Sequence, residues 1–121
     1  MDTLIDKLNK QYSYEQLDNG IVIRTPIMYN GADHTFSFYI KRSETGGFVI
    51  SDRGQTLDYL RENVNLSKYL DKIDKICEFF EIKLTNDEFI GRLASIESNQ
   101  TMRNFNKFIG AMNMIAYINI L

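Results

Sequence analysis

The stretch from Asp33 to Leu57 constrains the fold more than any other part of the chain. Phe36, Phe38 and Ile40 alternate with Thr35, Ser37, Tyr39 and Lys41. A period of two marks a strand with one buried and one solvated face. Arg42-Ser43-Glu44-Thr45-Gly46-Gly47 is polar and ends in two glycines, which suits a hairpin loop needing a positive φ. Phe48-Val49-Ile50 is aromatic and β-branched, and is expected to pair antiparallel with the first strand. Ser51-Asp52-Arg53-Gly54 has the composition of a turn. Leu57 and Leu60 then recur at helical spacing, with Thr56 as N-cap or first-turn residue. A ribbon with one apolar face, leading through an aspartate turn into a helix, is the frame that the remaining segments must cover.

Those segments read as follows. Leu4, Ile5 and Leu8 predict a short amphipathic helix over Asp2–Lys10. Residues 12–17 and 21–25 flank Asn19-Gly20, a dipeptide favoured in two-residue type I′ turns, and predict a second hairpin. Pro26 has no N–H to give to a ladder, so it marks a strand end or an edge position. Tyr29 to Asp33 is the loop into the central hairpin, and the first half is then a meander of consecutive antiparallel strands. Gln55–Asn63 is one helix. Leu66, Leu70, Ile73, Ile76, Cys77 and Phe80 continue at steps of three and four, with Asn65 or Ser67 to cap the new start. Lys68, Asp71, Lys72, Asp74, Lys75 and Glu78 form its solvated face. Residues 82–84 and 89–93 flank Asn86-Asp87 and predict a smaller, third hairpin.

From Ser98 to Leu121, a broad apolar face of Met102, Phe105, Phe108, Ile109, Met112, Ile115, Ala116 and Ile120 opposes Arg103, Asn106, Gly110, Asn113 and Tyr117. That face is wider than one core stripe. Either the helix is buried on two sides, or the segment Met102–Leu121 carries a homodimer seam. Its asparagines argue against a membrane span. The expected fold is α+β: an antiparallel sheet, built from a four-stranded meander plus a small extra hairpin, with helices packed on one face and a long C-terminal helix. With 121 residues, of which 44% are hydrophobic, residues 1–121 are expected to form a single domain.

Composition narrows the function classes. One cysteine, Cys77, precludes an internal disulfide or a cysteine zinc site, and its apolar neighbours predict a buried thiol suited to the reducing cytoplasm. No basic and apolar leader opens the chain, so no secretory signal is expected. The net charge of −2 gives no sequence-wide indication of direct nucleic-acid binding.

Ile23-Arg24-Thr25-Pro26-Ile27, Asp33-His34-Thr35-Phe36-Ser37-Phe38-Tyr39-Ile40-Lys41 and Gly47-Phe48-Val49-Ile50-Ser51-Asp52-Arg53-Gly54-Gln55-Thr56-Leu57 together carry a pattern. It resembles the bacterial and phage family known as domain of unknown function eighteen-twenty-eight, over residues 21 to 93. Ser51-Asp52-Arg53-Gly54-Gln55-Thr56 is the most specific part. The resemblance implies a prokaryotic or mobile-element source and no particular activity. It leaves the N-terminal helix and the helix after Ser98 outside.

Candidate chemistry gathers at the ends of the central hairpin. A restriction-type nuclease needs a metal-binding Asp, then on the next strand an acidic residue two before a lysine, so that carboxylates hold Mg²⁺ and the lysine activates water. Lys41 is the candidate lysine, but Tyr39 stands two before it and Asp33 lies on the same strand. A catalytic set of Asp33, Lys41 and Asp52 therefore requires the hairpin to bring Asp52 beside Asp33. His34, the only histidine, excludes a two-histidine metal site within one chain. Ser37 and Ser51 lack a nucleophile elbow. Asp33-His34 also reads as a loop junction in which Asp accepts backbone amides. In Asp52-Arg53-Gly54-Gln55-Thr56, Asp52 is expected to accept loop amides, Gly54 to supply positive φ and Thr56 to cap the helix. The same geometry could hold an anion at a helix N-terminus, but no Gly-Lys-Ser/Thr follows to make a nucleotide loop. Tyr12, Tyr14, Tyr29 and Tyr39, with Arg24, Lys41 and Arg42, are expected to share the outward face of the sheet.

The expected function is that of a small non-enzymatic interaction protein of a bacterium, phage or mobile element, acting in the cytoplasm without cofactor or metal. It would bind a protein or ribonucleoprotein through Arg24, Tyr39, Lys41, Arg42 and Arg53, by analogy as an anti-CRISPR-like antagonist of host defence. The alternatives are an atypical metal-dependent nuclease on Asp33, Lys41 and Asp52, and a structural homodimer held by the C-terminal helix.

Overall fold

The computed structural model describes residues 13–28, 35–93 and 99–120. The expected N-terminal helix, Tyr12, Tyr29, Asp33 and His34 lie outside them. Six strands, β1 (Ser13–Leu17), β2 (Gly20–Met28), β3 (Thr35–Arg42), β4 (Phe48–Ser51), β5 (Lys83–Thr85) and β6 (Glu88–Leu93), form one antiparallel sheet. Three α-helices accompany it: α1 (Gln55–Asn63), α2 (Leu70–Phe80) and α3 (Asn99–Ala116). Short 3₁₀ turns cover Leu66–Lys68 and Ile118–Ile120. The fold is α+β, as the pattern of elements predicts.

The strand order is β1-β2-β3-β4-β6-β5. The third hairpin is thus not a separate ribbon. After two helices, β6 returns to pair with β4, matching Phe48 with Leu93 and Ser51 with Ile90. Asn86 and Asp87 turn between β5 and β6 with φ of 53° and 64°, the left-handed pair of a type I′ turn. Pro26 lies inside β2, not at its end. It sits beyond Arg24, the last β2 residue paired with β1, and within the register irregularity between Arg24 and Met28. There no described residue of β1 lies opposite it, so among the described residues the missing N–H removes no bond to β1.

Register sorts the side chains onto two faces. Ile21, Ile23, Phe38, Ile40, Phe48, Ile50, Phe89 and Leu93 are buried on the inner one. All three helices contribute to the core beneath it, through Leu57 and Leu60 of α1, Ile73 and Cys77 of α2, and Phe105, Phe108, Met112 and Ile115 of α3. The ring of Phe108 meets Phe38 edge to face at 5.2 Å. It also sits on Gly91 of β6, where an added Cβ would lie 2.7 Å from Phe108. The breadth of the apolar face of α3 is therefore satisfied within the chain, by the sheet on one side and α1 and α2 on the other.

Two expected caps are not made. Ser67 bonds the Asn65 side chain at 2.9 Å, and α2 begins after Tyr69 with no side-chain cap. The 3₁₀ turn at Leu66–Lys68 supplies the entry instead.

Candidate functional site

Asp52 directly follows β4, and its side chain organises the turn into α1. Its Oδ1 accepts the amides of Gly54 at 3.0 Å and Phe89 at 2.9 Å, and its Oδ2 accepts the amide of Thr56 at 3.0 Å. The Asp52 amide in turn donates to the Phe89 carbonyl at 3.2 Å. One side chain thereby joins β4, β6 and the first turn of α1. Gly54 holds φ 82° as expected and takes the N-cap position, so that of the two expected places Thr56 takes the first turn, fully buried, with its amide donating to Asp52. Burial pushes the Asp52 carboxyl above its ordinary value, opposed in part by the Gly54 amide, the Thr56 hydroxyl and the amides of Phe89 and Thr56.

That environment bears on the candidate catalytic set. Asp52 is only 1% exposed, and both its oxygens are engaged by backbone donors. Lys41 is exposed on the opposite, outer face, and no hydrogen bond or ion pair joins it to Asp52. Asp33 lies outside the described residues. Among the described residues, no group of three His, Cys, Asp or Glu side chains is placed to hold a metal ion.

The other cluster lies on the outer face. Register places Val22, Tyr39, Ser51 and Ile90 in one cross-strand row. A neighbouring row runs through Gly20, Lys41, Val49 and Arg92, and on the other side Arg24 faces Ser37. Arg53, at φ 56°, lays its guanidinium 4.0 Å over the centre of the Tyr39 ring. Its left-handed backbone is fixed by Ser51, whose Oγ accepts the Arg53 amide at 2.9 Å and donates to Glu88. Gln55 reaches the Ser37 hydroxyl at 3.5 Å. Arg24 is paired with Glu15 at 2.8 Å. Arg92 bonds the Thr45 hydroxyl and the Gly46 carbonyl at the tip of the β3–β4 loop.

Of the expected interaction residues, Arg24, Tyr39, Lys41 and Arg53 are brought together here. Arg42 is not in that cluster: alternation puts it on the inner side at the end of β3, over the Phe48 ring at 5.5 Å. It does line, with Tyr39, Lys41 and Asp18, a depression of 650 Å³ beside the β1–β2 turn. Tyr14 also departs from expectation. It pairs with Ile23 and packs against the core, because strand alternation counts it with Ile21 and Ile23. Glu88, Ile90 and Arg92 were absent from the sequence reading of this surface. Their alternation was readable, but not that β6 would lie beside β4.

The family model described as Domain of unknown function DUF1828 matches residues 25–115. The match extends past residue 93 into most of α3, which the resemblance had left outside. No curated protein and no solved structure matches the chain.

Proposed function

The chain belongs to the DUF1828 family, and on that premise we propose that it is a small non-enzymatic interaction protein. It binds a protein or a protein–nucleic-acid complex through the outer face of its sheet. One observation carries this reading: among the described residues the helices cover only the inner face, while the outer face presents Tyr39 beneath Arg53, flanked by Lys41 and Arg92. Tyrosine and arginine are enriched where proteins bind partners. The narrower form of the proposal is a cytoplasmic antagonist of host defence, anti-CRISPR-like, from a phage or mobile element. Small size, mild acidity and the family's prokaryotic setting support it by analogy.

A pull-down from bacterial lysate tests the reading, with wild-type chain and the Tyr39→Ala/Arg53→Glu variant as parallel baits. The expected result is a discrete partner retained by the wild type and lost by the variant. Retention of nothing, or equal retention by both, ends it. Interference assays in cells carrying a CRISPR system test the narrower form: expression should restore plaquing by a targeted phage.

A second reading, the homodimer, is favoured by a different observation. Phe79 of α2 is 78% exposed, and Leu70 and Met114 are 45% and 37% exposed. With Lys75, Ile76 and Phe80, Phe79 and Met114 line an apolar hollow of 270 Å³. Light scattering decides between one and two chains. A monomer at ~100 µM, a concentration above the dissociation constants of specific interfaces, removes this reading.

A further inference from the structure

We propose that the occupant of the outer sheet face is single-stranded nucleic acid, with Arg53 on Tyr39 as the stacking platform and Lys41, Arg92 and Arg24 as phosphate contacts. The inference deepens the proposed function and rests on its reading of this face as the working surface.

The first argument is the distribution of charge. The chain is acidic overall, at −2, yet its outer sheet face carries an excess of cations. On the outer face register places Arg24, Lys41, Lys83 and Arg92, with Arg53 laid against it. The carboxylates there are Glu15, bound to Arg24, and Glu88, bound to Ser51, with Asp18 beside Tyr39 and Lys41 at the β1–β2 turn. Among the described residues, Lys41, Arg53 and Arg92 have no carboxylate within ion-pair distance. The helical layer is balanced, its exposed Asp58, Glu62, Asp71, Asp74, Glu78 and Glu81 interleaved with exposed Arg61, Lys68, Lys72, Lys75, Arg103 and Lys107. A polyanion is attracted to the outer sheet face and meets no comparable excess of positive charge on the helical layer.

The second argument is the chemistry at the centre. Arg53 is exposed, and its planar guanidinium is held 4.0 Å above Tyr39 by a backbone locked through Ser51 and Asp52. A guanidinium plane supported from below by an aromatic ring is a surface on which an unpaired base can stack. Half-buried Val22, Val49 and Ile90 surround it as an apolar floor, with the cations in the rows on either side. Bases over an apolar floor and phosphates at cationic flanks is the arrangement single strands require. A duplex fits poorly, because its bases are stacked inside and no described helix projects from this face to enter a groove. An acidic protein would satisfy the charges and leave the stacking plane unused.

Fluorescence anisotropy with labelled oligothymidine and oligouridine of about 15 nucleotides, and with a duplex of the same length, tests this on the full chain. Binding of the single strands should weaken with salt at a log–log slope of about −2, as expected for three phosphate contacts. Tyr39→Ala and Arg53→Ala should each weaken binding about tenfold, the effect of losing one stacked base. Arg53→Lys keeps the charge and loses the plane, so it should weaken binding nearly as much. Lys72→Gln on α2 should change nothing, and circular dichroism confirms that each variant is folded. No binding of either single strand at up to ~100 µM, the weak limit of non-specific association, overturns the inference. So does affinity unchanged by both Arg53 variants, or a preference for the duplex. A protein partner that survives nuclease treatment of the lysate and is lost with Tyr39→Ala also overturns it, while leaving the proposed function standing.

Discussion

At the scale of single residues, Asp52 is the side chain on which most depends. It satisfies the amides of Gly54, Thr56 and Phe89 in a site closed to water. Asp52→Ala leaves those donors unpaired and is expected to destabilise the fold by about 3 kcal/mol, since each buried unsatisfied donor costs about 1 kcal/mol or more. A urea melt checks this. Asp52→Asn keeps the shape but turns an amide group toward donors, and should cost less than Asp52→Ala. The pH dependence has a definite sign. Burial raises the folded-state pKa above the ordinary 3.8, so the folded chain holds this proton more tightly than the unfolded chain does. The contribution of Asp52 is therefore fully present below pH 3.8 and declines as pH rises through the folded pKa. The stability gap between wild type and Asp52→Asn should narrow over that rise, as melts at successive pH values would measure. Cys77 gives a simpler test. Burial, with Asp74 nearby, pushes its thiol up to about 11. Native protein at pH 8 should resist iodoacetamide and become labelled only on unfolding; rapid native labelling, read by mass spectrometry, would contradict the buried placement. At this scale the sequence disclosed that Asp52 accepts loop amides and that Gly54 has positive φ, because both belong to one turn. It did not disclose Phe89, whose amide arrives from 37 residues away.

At the level of elements, α3 seats directly on β6 through a glycine. Gly91 lets Phe108 descend between Ile50 and the strand backbone, since an added Cβ would lie 2.7 Å from Phe108 and 3.2 Å from Ile50. Gly91→Val forces the helix off the sheet and is expected to cost about 2 kcal/mol or more, as overpacked cores do. Thermal unfolding measures it, and a neutral outcome would mean that α3 is not seated there. The strands β3 and β4, α1, and the β5–β6 turn were legible because each is specified by its own alternation, spacing or turn residues. The caps at Asn65 and Ser67 were not, because the 3₁₀ turn at Leu66–Lys68 reaches α2 by another backbone route. The broad face of α3 announced burial on two sides or a seam between chains. Contacts with the sheet, α1 and α2 satisfy most of its width inside one chain.

At the scale of the whole molecule, no described helix is long and apolar enough to cross a membrane. The working surface we propose exists only because four strands from separate hairpins align their outward residues. Phe79 is the exception on the helical side. Phe79→Ser should shift stability by less than ~0.5 kcal/mol in a monomer, because an exposed ring has little burial to lose. A larger loss, with a fall in mass by light scattering, would mean that the ring is covered by a second chain. Interactions within a few residues fixed the kinds of element, the β3–β4 and β5–β6 turns and the aspartate turn, whereas the first hairpin turns through Asp18-Asn19, one residue before the expected Asn19-Gly20, with Gly20 already in β2 opposite Leu17. Packing across the whole chain decided that β6 lies against β4 and that Arg53 rests on Tyr39 among cations from three strands. Those arrangements depend on which strands find each other after long excursions of chain. That choice is made by burying the inner apolar faces together, and local periodicity carries no record of it.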